Sequence, residues 1–314
     1  MSSLAYDSPA MLVRQLPAPV GELAEAVLDH IRSGTFQRSM SLLVVSTSVV
    51  SGAEVAYEHY RGGYSNPIMY SPVILSGVLS VAGVAAFFSG RMARSFLRWT
   101  SAITFLDGII GFGFHIRGIA RKPGGWRLPL TNIVMGPPIF APLLFGTSAY
   151  LGILASYLQR EEDGSSKRTL QPEEKADWRE DIRVGRFQKH LCVVTAVWTF
   201  CSGFEAWYSH YKNNFQYRVQ WSPVILTPLM MAASIGAIKS RRIANTALPL
   251  ASATAIVNGT VGFAYHLRGI LRRPGGLKKP LYNTLYGPPI FAPMLFAACG
   301  VLGALACLMR RERS

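Results

Sequence analysis

Residues 115–145 read H-I-R-G-I-A-R-K-P-G-G-W-R-L-P-L-T-N-I-V-M-G-P-P-I-F-A-P-L-L-F, and residues 266–296 read H-L-R-G-I-L-R-R-P-G-G-L-K-K-P-L-Y-N-T-L-Y-G-P-P-I-F-A-P-M-L-F. The offset of 151 residues holds without a gap from His115 and His266 to Phe145 and Phe296. A match of this length and density points to tandem duplication, so the chain reads as two copies of one unit. Inside the motif, P-G-G permits a tight reversal. G-P-P-I-F-A-P stops the preceding loop from continuing as helix and restricts the backbone that enters the next apolar run.

Composition says what kind of unit it is. Half of the 314 residues are hydrophobic (50%) and only 16% are charged, which excludes an average soluble domain. The positive mean hydropathy and several apolar windows of about 20 residues, enough to cross about 30 Å of hydrocarbon, point to membrane helices. The net charge of +15 would suggest nucleic acid in a soluble protein. Here Lys and Arg cluster between apolar runs, so the expected partner is the lipid bilayer and not nucleic acid. Cys192, Cys201, Cys299 and Cys307 all lie in apolar runs. They form no disulfide, zinc or haem-attachment spacing and read as small apolar residues. No charged-then-apolar leader is present, so the first membrane helix is expected to act as an uncleaved insertion signal.

The sequence therefore predicts an all-α polytopic membrane protein with eight transmembrane helices, arranged as two parallel four-helix tandem repeats. The expected organisation is a disordered N-terminus over 1–19, a first repeat over 20–158, a charged linker over 159–175 and a second repeat over 176–314. Each repeat opens on an amphipathic interfacial helix: Glu22–Ile31, with Leu23, Val27 and Ile31 at helical spacing, and Ala176–Ile182 in the copy. Spans are expected near 40–60, 72–90, 99–118 and 138–158, and again 151 residues later. Four spans is an even number, so both repeats enter from the same face and are parallel, not inverted. The side holding both termini carries 20 Lys and Arg against 12 on the other. That excess is expected to place both termini in the cytoplasm, and the expected location is a plasma (inner) membrane.

Within these spans some polar residues need a reason. Glu54 pairs with Glu205, Tyr57 with Tyr208, His59 with His210 and His115 with His266 under the same offset. At 1.5 Å per residue, Glu54 lies about 21 Å into the first span and His59 about 28 Å, while His115 lies about 24 Å into the third. The three should share a depth near the outer ends of two parallel helices. Asp107 lies deeper, and its counterpart is Asn258, so its role is not expected to be shared by both halves. Asn132 and Asn283 are expected to bond loop backbone freed by the prolines. Gly108, Gly111, Gly259 and Gly262 should let neighbouring helices approach closely.

Four readings of the polar set compete. Glu54 could pair with Arg117, and Glu205 with Arg268, as anchors between spans. The two histidines of each half could be the axial ligands of a b-type haem. Two His and one Glu could hold a metal, although Glu54 and His59, five apart, diverge by about 140° around a helix. The set could also bind a quinone or other small molecule, with Arg117, Arg121, Arg268 and Arg272 holding an anion or lipid headgroup. No nucleophile elbow, phosphate-binding glycine loop or dinucleotide fingerprint is present.

The function expected from this is an integral membrane subunit of a redox system. It would bind haem b or quinone at His59, His115, His210, His266, Glu54 and Glu205, with a redox partner subunit. The alternatives are a transporter built from parallel repeats, in which Pro228 and Pro249 would bend two spans, and a structural scaffold without ligand.

Overall fold

A computed structural model of the chain describes residues 18–161, 181 and 184–309. The expected disorder of the N-terminus, most of the linker, and the second interfacial helix apart from Asp181 lie outside the described residues. Within them every regular element is helical and no strand occurs. We name the principal helices α1 (Ala18–Ser33), α2 (Gln37–Arg61), α3 (Ser71–Phe88), α4 (Arg98–Ala120), α5 (Pro129–Val134) and α6 (Ala141–Tyr157) in the first half. In the second half they are α7 (Arg186–Lys212), α8 (Ser222–Lys239), α9 (Ala247–Leu271), α10 (Pro280–Leu285) and α11 (Ala292–Leu308).

Among the described residues, five helical segments are long and apolar enough to cross a membrane: Gln37–Arg61, Pro67–Phe88, Gly90–Ala120, Arg218–Lys239 and Ala247–Leu271. Ala141–Tyr157 and Ala292–Leu308 are apolar but have 17 residues each, short of the roughly 20 that a straight span needs. They start three residues later than the expected 138 because the proline pair holds the chain out of helix until Ala141 and Ala292. Apolar side chains cover the outside of the bundle. Phe88 is 74% exposed, Ile74 62%, Leu250 70% and Val257 61%. Faces of this kind suit lipid, because a water-soluble monomer rarely exposes such contiguous apolar area.

Local chemistry sets the element ends. Pro72 and Pro223 open α3 and α8, where a missing N–H costs nothing. Both helices stop at an extended serine, Ser89 or Ser240, whose hydroxyl then accepts an N–H of the next helical turn. The reversal after α4 and α9 passes through Gly124 (φ 80°) and Gly275 (φ 88°), left-handed conformations that favour glycine. Pro249 falls in the first turn of α9 and Pro228 inside α8. The first-turn place removes Pro249 as a mid-helix bend.

Packing is close where the sequence has glycine. A Cβ on Gly108 would lie 2.7 Å from the Pro142 carbonyl oxygen, and one on Gly259 would lie 2.6 Å from that of Pro293. These contacts hold α4 against α6 and α9 against α11. The buried apolar core draws on both halves, with Met40, Leu79, Leu97 and Leu151 from one and Leu191, Met230, Leu248 and Leu302 from the other. Between the halves, the Trp198 ring of α7 lies 5.9 Å from Tyr150 and 6.2 Å from Phe105, and its indole N–H donates to Thr147. Trp198 and Tyr150 have no aromatic counterpart 151 residues away, where Thr47 and Val301 stand.

Candidate functional site

The four paired histidines and two paired glutamates gather at one end of the bundle, around the ends of α2, α4, α7 and α9 and the two G-P-P-I-F loops. Both α2 and α7 finish in a reversal closed by a residue at positive φ, Tyr64 (44°) and Phe215 (46°). These rings fold back and stack on Tyr70 (4.2 Å) and Trp221 (4.0 Å). The strained backbone is offset by stacking, and the Tyr64 hydroxyl also donates to the Ala56 carbonyl at 3.0 Å.

Three of the four imidazoles are held by backbone carbonyls, His59 by one just past α2 and His115 and His266 by those of the two G-P-P-I-F loops. His59 Nδ1 lies 2.7 Å from the Met69 carbonyl oxygen, His115 Nδ1 2.5 Å from that of Pro138, and His266 Nδ1 2.6 Å from that of Pro289. A carbonyl only accepts, so in all three rings Nδ1 carries the proton and a neutral ring keeps its lone pair on Nε2. The His210 imidazole makes no hydrogen bond among the described residues and packs instead between rings. Its centroid is 6.2 Å from Phe215 and 6.4 Å from His266, the two imidazoles standing at 89°.

The glutamates go elsewhere. Glu54 Oε1 accepts the Tyr57 hydroxyl at 3.0 Å, and Oε2 accepts the backbone N–H of Phe291 at 3.1 Å. Phe291 is the residue that caps α11, in the other half of the chain. Glu205 Oε1 accepts the backbone N–H of Phe140, which caps α6. The two bonds are the same bond 151 residues apart, crossed between the halves. A carboxylate at a helix N-terminus meets unsatisfied N–H groups and the positive end of the helix dipole. Among the described residues neither glutamate forms an ion pair, so of the four readings the one that pairs Glu54 with Arg117 and Glu205 with Arg268 is not what the structure shows. Arg117, Arg121, Arg268 and Arg272 are exposed at this same end.

Of two further polar pairs, Asp107 with Asn258 and Asn132 with Asn283, the first departs from the sequence expectation and the second meets it. Ser71 donates to Asp107 at 2.7 Å, and Asn258 donates to Ser222 at 2.6 Å. The contact is thus shared by both halves with donor and acceptor exchanged, which corrects the expectation that Asp107 acts in one half only. Asn132 bonds the carbonyls of Pro123 (3.1 Å) and Gly125 (2.7 Å), and Asn283 those of Pro274 (3.4 Å) and Gly276 (3.0 Å), as the proline-rich loop implied.

At the opposite end, Glu161 was missed by sequence reasoning. Its carboxylate accepts the N–H groups of Arg38 (2.9 Å) and Ser39 (2.8 Å) and the Ser39 hydroxyl (2.9 Å), at the start of α2. Partial burial opposes its charge, but these donors outweigh it and hold the carboxyl below its usual range. Only its place just after an apolar run could have signalled it. No three His, Cys, Asp or Glu side chains cluster as a metal site among the described residues.

The chain matches no family model, no curated protein and no solved structure.

Proposed function

We propose that this chain is an integral membrane subunit of a redox system in which each half holds a b-type haem between two imidazoles, His59 with His115 and His210 with His266. The observation that carries the reading is the His210–His266 pair, two rings 6.4 Å apart at 89°. Metal–imidazole bonds run to about 2.0–2.1 Å, so two imidazoles that shared one metal would have centroids no more than about 6–6.5 Å apart. The Nδ1 bonds of His59, His115 and His266 to carbonyls add support. Such a bond fixes the tautomer and aims Nε2 outward, as in metal-ligating histidines. A quinone would need those rings as donors, and in three of the four the Nδ1 proton is already committed to backbone, which favours haem. A bound haem would carry one electron at a time, and the chain's part is to orient the ligands and exclude water.

This reading takes the bundle as two parallel repeats of four spans, counting α6, α7 and α11 as spans, with both termini in the cytoplasm of a plasma (inner) membrane. The exposed Arg117, Arg121, Arg268 and Arg272 would meet phosphate headgroups at the outer face, and a separate subunit would exchange electrons with the haems.

The test is an absorption spectrum of the protein purified in detergent after expression with added haem precursor. A Soret band is expected, with about half of it lost in His115→Ala or His266→Ala and all of it in the double variant. Wild-type protein without a Soret band overturns the proposal.

A further inference from the structure

The loop that orients a histidine in one half is held by the glutamate of the other half. Pro138 gives its carbonyl to His115, and two residues on Phe140 gives its N–H to Glu205. In the second half Pro289 gives its carbonyl to His266, and Phe291 gives its N–H to Glu54. Little separates the two functions of the loop. The proline ring locks φ at Pro138, and Ile139 between them is β-branched and buried. The backbone from Pro138 to Phe140 therefore has few soft torsions, and pinning the Phe140 N–H pins the Pro138 carbonyl. Glu54 also sits five residues before His59 on α2, as Glu205 sits before His210 on α7. One helix thus carries a histidine of its own half and the latch of the other's loop.

From this geometry we infer that Glu54 is a positioning residue for His266 and Glu205 a positioning residue for His115, so that the two histidine sites are coupled across the halves. Each carboxylate acts through a backbone N–H and a loop carbonyl and does not itself touch the bound group. A change in the seating of one imidazole is passed to the other half through the latch. What the coupling serves rests on the haem reading above. The coupling itself concerns only the histidines.

The test uses the full chain in detergent, treated with diethylpyrocarbonate, and reads the modification rate of each histidine by peptide mass spectrometry. Glu54→Ala removes the acceptor from Phe291 and is expected to raise the rate at His266 roughly two- to tenfold, the loss of about one hydrogen bond. His115 should be unchanged. Glu205→Ala should raise His115 and leave His266 unchanged. Glu54→Gln, which keeps one acceptor oxygen, should return His266 most of the way to the wild-type rate. If Glu54→Ala does not fold, Glu205→Ala and the two Gln variants carry the same crossed pattern at smaller amplitude. Equal increases at all four histidines, an increase confined to the mutated half, or no change overturns the inference. The Soret band of the same samples separates the two ideas. The crossed pattern without a Soret band keeps the coupling and removes the haem, and a Soret band without the crossed pattern does the reverse.

Discussion

The hydroxyl of Ser71 donates to the carboxylate of Asp107 at 2.7 Å. The equivalent contact 151 residues on is made by a neutral amide, Asn258, to Ser222 at 2.6 Å. One fold position thus accepts a charged and an uncharged side chain with the same partner. A carboxylate inside a membrane helix is costly, by about 2.5–3.5 kcal/mol at the bilayer centre and less toward its edges. Asp107→Asn should therefore leave stability unchanged or raise it by up to about 1 kcal/mol, and Asn258→Asp should lower it by about 1–3 kcal/mol. Unfolding in mixed detergent measures both. A large loss in Asp107→Asn would give that charge a role of its own.

Glycine substitutions should separate by place. A Cβ on Gly259 would come within 2.6 Å of the Pro293 carbonyl oxygen and 2.7 Å of the Ala297 backbone nitrogen, neither of which can swing away. Gly259→Ala should cost about 1–3 kcal/mol through overpacking. Gly113, on α4, meets nothing within 4 Å. Gly113→Ala should stabilise by about 0.5–1 kcal/mol, the helix preference of alanine. Thermal melts of the two variants are expected to shift in opposite directions.

Glu161 gives a pH dependence of definite sign. Burial works against its charge, but the Ser39 and Arg38 N–H groups and the Ser39 hydroxyl hold its folded carboxyl below the usual value of 4.5. The stabilisation from this contact is then full above pH 4.5 and is lost as pH falls through the lower folded value. Glu161→Gln should be less stable than wild type by about 1 kcal/mol at pH 7, a cap-sized effect limited by solvent screening. The gap should close in acid. A gap that persists below the folded value would show that the carboxylate charge is not what holds α2 to the end of the first half.

The all-helical class and five long apolar helices were legible because burial in lipid writes long apolar runs, and because proline and glycine mark helix ends chemically. The paired histidines were legible through the 151-residue offset between matching stretches of sequence. The crossed latch was not. Glu54 and Phe291 lie 237 positions apart, and the acceptor's partner is a backbone N–H, which every non-proline residue has and no letter marks. From the sequence, each glutamate reads either as the partner of an arginine or as part of a cofactor pocket, since a buried charge usually pairs. A helix N-terminus can do the same work with no cation at all. Ser71 and Ser222 were passed over because serine at a helix start is ordinary and its reach to α4 or α9 depends on packing alone.

Asn132 ties its loop together through hydrogen bonds. Its Nδ2 donates to two loop carbonyls, Pro123 at 3.1 Å and Gly125 at 2.7 Å, which a side chain without donors cannot satisfy. Asn132→Asp keeps the shape but sets a carboxylate against two carbonyl oxygens, while Asn132→Ala merely leaves them to water. The aspartate variant should be the worse of the two, by about 1–3 kcal/mol. The loop should also open locally, so trypsin should cut after Arg127 faster in Asn132→Asp than in wild type. Asn283→Asp should show the same ranking and expose Lys278. If alanine proves as damaging as aspartate, the side chain is filling space in the loop and its hydrogen bonds are incidental.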